Sequence, residues 1–147
     1  MLISNGRTVL ISGANRGVGN AITRRLHASG YFVSAGGRDP EALAASLADL
    51  ADDRLLCHEF DATVAGSDRR WIDDTAAHFG TIDVVVNNAG LLDTSPLEEL
   101  TMEGLDEMLE VNLKAPLRII QLALPHLRAS GTGRVVNMAS LSGLRVK

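Results

Sequence analysis

The order of apolar and helix-period segments predicts an α/β protein built on a parallel sheet with helices on both faces. Three observations carry this. Short apolar runs alternate with segments of helical spacing along the whole chain. The connections between them are short. The clearest run, Ile82-Asp83-Val84-Val85-Val86, is nearly continuous in its apolar character, as a strand covered on both faces requires.

Each element has its own signal. Thr8-Val9-Leu10-Ile11 is a β-rich run that stops at Ser12-Gly13. Helical spacing follows from Gly17 to Ser29, with Ile22 and Leu26 on one face, and Gly30 ends it. Tyr31 to Ala35 is the second strand. Asp39-Pro40-Glu41 starts a helix, with Asp as N-cap, Pro in the first turn and Leu43, Leu47 and Leu50 facing a core. Leu55 to Phe60 is the third strand, ended by Asp61-Ala62-Thr63, and a helix from Gly66 to His78 carries Trp71 and Ile72. After the fourth strand, a helical region from Leu97 to Ala129 is predicted to break near Thr101, whose hydroxyl suits the cap of the second part. Gly131-Thr132-Gly133 closes it, and Arg134 to Met138 is the fifth strand.

With 147 residues, the chain is expected to form one domain, 1–147. Aromatic residues are only 3%, so the core must come from Leu, Val, Ile and Ala. A net charge of -4 gives no footing for nucleic acid or an anionic membrane. No apolar run approaches the ~20 residues that span a bilayer, and the start is too short and polar for a secretory signal. Cys57 is the only cysteine, so no internal disulfide and no cysteine-based metal site is expected. A cytoplasmic location is the expectation, with no metal.

Between the first strand and first helix stands Ser12-Gly13-Ala14-Asn15-Arg16-Gly17-Val18-Gly19. This is where a phosphate-binding turn belongs in a doubly wound sheet. Gly13 turns the chain off the strand, Gly17 lets backbone N–H groups approach a diphosphate, and Gly19 lets the helix pack close to the sheet. The helix N-terminus adds free N–H groups and a favourable dipole. The spacing G-x-x-x-G-x-G differs from the usual G-x-G-x-x-G, and on its own it also describes a tight turn that binds nothing.

Three further segments stand in order behind it: Asn87-Asn88-Ala89-Gly90 after the fourth strand, Asn112 within Glu110-Val111-Asn112-Leu113, and Ser140 within Asn137-Met138-Ala139-Ser140-Leu141-Ser142-Gly143. Together with the spaced glycines, the chain resembles the classical short-chain dehydrogenase/reductase family over essentially its whole length, as an amino-terminal fragment. The resemblance implies a Rossmann-like doubly wound parallel sheet with strand order 3-2-1-4-5 in the part present, incomplete at its carboxyl-terminal edge. It implies that the cofactor lies across the strand ends, bound by Gly13, Asn15, Arg16, Gly17, Val18 and Gly19. Asp61 and Ala62 would sit beside the adenine, and Asn87 to Gly90, with Asn88, Ala89 and Gly90 as the binding residues, along the adenine-ribose. Leu91 and Leu92 would begin a segment near nicotinamide and substrate. It implies catalytic roles for Ser140, which orients the substrate oxygen, and Asn112, which bends its helix and holds a water. Ser142 is the neighbouring alternative. The plain readings are a strand-end turn, an ordinary helical Asn and a turn Ser.

An acid at the end of the second strand would bind the free ribose hydroxyls of NAD(H). That position reads Gly37, followed by Arg38, and Arg16 lies in the glycine turn. Two arginines suit a 2′-phosphate, so NADP(H) is favoured over NAD(H). A one-residue slip would instead bring Asp39 to the ribose, and the plain reading of Arg38 is a solvated loop cation.

The family's Tyr-x-x-x-Lys motif, in which the lysine lowers the tyrosine pKa for proton transfer, is not among these residues. Tyr31 is the only tyrosine and belongs to the far end of the second strand. Lys147 stands too near Ser140, and Lys114 has no tyrosine four residues before it. His27, His58, His78 and His126 are scattered and read as surface or strand residues. The chain is therefore expected to be a fragment, with a natural truncation as the alternative. The fifth strand is expected to expose an apolar edge, and the long helix a stripe drawn from Leu105, Met108, Leu109, Leu117, Ile120 and Leu124. Three functions follow. The parent protein is an NADP(H)-dependent alcohol dehydrogenase or carbonyl reductase with a small carbonyl or alcohol substrate, or the chain is a non-catalytic dinucleotide-binding module, or it is a dimerising module. A homo-oligomer through the long helix fits the first and the last.

Overall fold

The structure, a computed structural model, describes residues 4–50 and 53–140. Five strands and five helices alternate: β1 (Thr8–Ser12), α1 (Gly17–Ala28), β2 (Phe32–Gly37), α2 (Pro40–Ser46), β3 (Leu55–Glu59), α3 (Ser67–Phe79), β4 (Val84–Asn87), α4 (Met102–Leu109), α5 (Ala115–Ala129) and β5 (Arg134–Asn137). All neighbouring strands are parallel, in the order β3-β2-β1-β4-β5. The sheet order reverses beside β1, and the turns after β1 and β4 meet there.

Strand alternation divides the core in two. Leu10 and Val85 point to one face, where Trp71 and Ile72 of α3 and Ile119, Ala123 and Leu127 of α5 cover them. Val9, Ile11, Val33 and Ala35 point to the other, against Leu43 and Leu47 and the inner side of α1. The one tryptophan is fully buried. Its Nε1 donates to Ser34 Oγ at 2.8 Å, and that hydroxyl also bonds Thr75 Oγ1 at 2.7 Å. Asp83, expected within a strand, sits just before β4, where its carboxylate accepts the Thr8 N–H at 2.9 Å.

Two helical expectations change. Leu50 does not lie on the second helix. That helix ends at Ser46 and tightens into a 3-10 turn over Ala48–Leu50, because Ser46 Oγ–H caps the Leu43 carbonyl at 2.8 Å and Arg24 holds the Ser46 carbonyl at 2.6 Å. The long helical region breaks where expected, with Thr101 Oγ1 accepting the Gly104 N–H at 3.0 Å. It also contains an unforeseen π-helical segment, Glu110–Lys114, between α4 and α5. Such single-turn bulges shift the phase of a helix and recur at functional positions. Among the described residues, no helix is long and apolar enough to cross a membrane.

Candidate functional site

The carboxyl ends of the strands open into a cleft of 460 Å³. The turn after β1 lines it with Gly13, Asn15, Arg16, Gly17 and Val18, and the end of β2 with Gly37, Arg38 and Asp39. Phe60, Asp61, Ala62 and Thr63 follow from β3, and Asn88, Ala89, Gly90 and Leu91 from β4. Glu107 and Val111, one helical turn apart, complete the wall. Gly19, Ser140 and Asn112 do not line it, nor does Asn87, which is buried and donates Nδ2–H to Asn137 Oδ1 at 2.8 Å.

The two central turns are tied together. Ser12 Oγ accepts the N–H groups of Asn88 and Ala89, both at 3.0 Å. The Asn88 side chain turns inward and donates Nδ2–H to the carbonyls of Ser12 and Gly13, at 3.0 and 3.1 Å. Asn88 is thus a brace for the glycine turn, and it also lines the cleft. Gly19 belongs to the same brace: an added Cβ would lie 2.2 Å from the Gly13 carbonyl oxygen.

The opening of α1 has the chemistry that suits an anion. Arg16 is its N-cap in extended backbone, no side chain caps it, and its first turn holds no acid. The first N–H groups therefore have no intrahelical acceptor, and the helix dipole adds positive potential. Gly17 has φ +57°, and nothing lies within 4 Å of where its Cβ would be. Arg16 and Arg38 are exposed, and neither guanidinium makes a hydrogen bond or ion pair among the described residues. Asp39 is engaged elsewhere, its carboxylate accepting the Ala42 N–H at 2.9 Å as the cap of α2. Free amides and unpartnered guanidinium groups on one wall fit a diphosphate carrying a further phosphate.

The opposite wall is held by a network that sequence reading missed. Arg118 of α5 donates from Nε to Asp68 Oδ2 at 2.6 Å, from Nη2 to the Ala62 carbonyl at 3.0 Å, and from Nη1 to Glu110 Oε1. Asp68 is buried. The Arg118 guanidinium, with a lesser part from Lys114, holds the Glu110 carboxyl below its ordinary range. The four-residue spacing of Glu110, Lys114 and Arg118 was a visible signal for part of this. The reach to Asp68 and Ala62, 50 and 56 residues away, was not.

Asn112 stands in the π-helical segment. Its Oδ1 accepts the Leu91 N–H at 2.9 Å and its Nδ2 donates to the Leu91 carbonyl at 2.7 Å, so one amide clamps the segment that follows Gly90. Ser140 is exposed, beyond the end of β5. Leu141, Ser142, Gly143 and Lys147 lie outside the described residues. Of the histidines, His27 is buried in α1, contrary to the expected surface or strand place. His58 on β3 pairs with Asp74 at 2.8 Å, and His78 packs edge-on to Phe79. None lines the cleft.

A parallel sheet of order 3-2-1-4-5, with an uncapped helix opening at its reversal point, defines a dinucleotide-binding protein of the Rossmann type. Residues 7–146 match the short chain dehydrogenase family, and the chain belongs to it. Members of that family are oxidoreductases that bind a nicotinamide dinucleotide. Agropine synthesis reductase of Rhizobium rhizogenes is 39% identical over 145 residues, which are 98% of this chain and 34% of the relative. An uncharacterized oxidoreductase of Staphylococcus aureus is 31% identical over 99% of this chain and 63% of its own length. Among solved structures, a short-chain dehydrogenase from Streptomyces avermitilis superposes with a TM-score of 0.90 at 32% identity, covering 99% of this chain and 53% of that one. An alcohol dehydrogenase from the archaeon Thermococcus sibiricus, complexed with 5-hydroxy-NADP, gives 0.88 at 33%, covering 96% and 61%. The chain thus spans between about a third and three fifths of the length of these relatives.

Proposed function

We propose that the cleft binds NADP(H) in preference to NAD(H), within a protein that moves a hydride between that cofactor and a small carbonyl compound or secondary alcohol. The observation that carries the preference is the pair of unpartnered arginines, Arg16 and Arg38, beside the α1 opening, with Asp39 committed to its helix cap. The N–H groups at the start of α1 and the turn from Gly13 to Val18 hold the diphosphate. Arg16 and Arg38 take the 2′-phosphate, Asp61 and Ala62 flank the adenine, and the backbone of Asn88, Ala89 and Gly90 lies along the ribose. When bound, the nicotinamide ring supplies or accepts the hydride. Asn112 positions the segment beside it by clamping Leu91, and Ser140 orients the substrate oxygen. The complex of the Thermococcus sibiricus relative with 5-hydroxy-NADP supports the cofactor reading.

Each charge-assisted bond to the phosphate is worth roughly 1.5–3 kcal/mol, about one to two decades of affinity. Titrating the protein with NADPH and NADH tests this. The Arg38→Asp variant should lower the NADPH:NADH affinity ratio by about ten- to a hundred-fold. An unchanged ratio removes Arg38 from the site.

A second reading concerns the 147 residues by themselves. Their only tyrosine, Tyr31, is buried beside the start of β2, at the other end of the sheet from the cleft. On their own, they bind dinucleotide and oxidise no NADPH with a carbonyl substrate. We further propose that the protein self-associates through α4 and α5, where Leu109, Leu113 and Leu117 recur every four residues and are 39%, 60% and 53% exposed.

A further inference from the structure

Arg118 lies outside the cleft, yet three of its nitrogens reach three separate segments, and those of Ala62 and Glu110 also carry lining residues of the cleft. Nη2 holds the Ala62 carbonyl at 3.0 Å, Nε the buried Asp68 at 2.6 Å, and Nη1 the Glu110 carboxylate at the start of the π-helical segment. The Ala62 carbonyl belongs to the peptide unit whose other end is the Thr63 N–H. That N–H donates to Asp61 Oδ1 at 2.9 Å, and the Thr63 hydroxyl donates to the same oxygen at 2.8 Å. One peptide plane therefore links the guanidinium to the Asp61 carboxylate. The Asp61 N–H is fixed as well, on Ser67 Oγ at 2.8 Å, so the carboxylate is oriented from both sides. Its Oδ2 has no partner among the described residues and Asp61 faces the cleft.

We propose that Arg118 is a positioning residue for base recognition: through the 62–63 peptide it aims the Asp61 carboxylate at the exocyclic amine of adenine. This rests on the reading of the cleft as a dinucleotide site. An amine donates to a carboxylate, whereas the carbonyl that hypoxanthine carries in its place repels it. The wall therefore discriminates between the two bases, and the discrimination depends on Arg118. Lysine has no planar fork to serve three acceptors at once.

The test is calorimetric titration of the full-length protein with NADPH and with its hypoxanthine counterpart. The parent protein should prefer NADPH by about ten-fold, the value of one charge-assisted hydrogen bond. Arg118→Lys should narrow that preference to about two-fold or less, because Asp61 loses its aim. Asp68→Asn combined with Arg118→Gln, which leaves no buried charge alone, should do the same if the single variant does not fold. A general loss of packing would weaken both ligands equally and leave the ratio unmoved, and that result overturns the proposal. So does a parent protein that binds both dinucleotides equally well. A parent that binds neither overturns the reading of the cleft itself.

Discussion

At the scale of single residues, two neighbouring glycines are expected to separate packing from binding. A Cβ at Gly19 would meet the Gly13 carbonyl oxygen at 2.2 Å and Asn88 Nδ2 at 2.5 Å, both parts of the brace between the central turns. Gly19→Ala is expected to destabilise the fold by about 1–3 kcal/mol, the usual cost of overpacking. At Gly17 nothing lies within 4 Å, so Gly17→Ala meets only the strain of its φ of +57°, about 1–2 kcal/mol. Its new methyl group would instead enter the cleft. Thermal unfolding combined with NADPH titration distinguishes the two. Gly19→Ala should lower the melting temperature more, and Gly17→Ala should lose more affinity per unit of stability lost. If the two variants shift both quantities alike, the division of labour is wrong. The motif itself was legible because left-handed backbone at a strand-to-helix turn calls for glycine. The role of Asn88 was only half legible. Its place after β4 follows from sequence, but its inward amide depends on acceptors 75 and 76 residues away.

At the scale of elements, helix starts were readable and helix interiors less so. Asp39 and Thr101 cap α2 and α4 as their residue types suggest. The π-helical segment had no counterpart in apolar periodicity, although the family resemblance already associated Asn112 with a bent helix. It is marked by tertiary bonds, those of Asn112 to Leu91 and of Glu110 to Arg118. Glu110 makes this segment sensitive to acid. Its carboxyl is held below the usual value chiefly by the Arg118 hydrogen bond. A depressed folded-state pKa contributes stability above the unfolded value of about 4.3, and that contribution fades as pH falls through the folded value. Melting temperatures measured from pH 6 to pH 3 should therefore fall more steeply in the parent than in Glu110→Gln below about pH 4.3. Parallel profiles would show that Glu110 adds nothing to the native state.

At the scale of the whole molecule, the sheet is covered on both faces except at β5, whose four residues are all exposed, with Val135 at 40% and Val136 at 44%. The Leu109, Leu113 and Leu117 stripe is a separate apolar face on the helical layer, and a stripe of that kind marks an interaction surface. Sedimentation of the full-length protein is expected to show a dimer, and Leu117→Lys to shift it towards monomer. Leu117 is 53% exposed, so that substitution should change monomer stability by less than about 0.5 kcal/mol. A variant that remains as dimeric as the parent would place the interface elsewhere. The sequence by itself determined the alternation of strands and helices, the glycine turn, the caps and the cationic pair. All of these follow from local backbone preference and side-chain period, which act within a few residues. Only the tertiary structure decided which glycine packs and which stays open, where the Asn88 amide points, that Asn112 clamps Leu91, and that Arg118 grips the loop beside the cleft. Those outcomes depend on which donor meets which acceptor across the sheet, and residues 50 or more positions apart leave no periodic trace of their meeting.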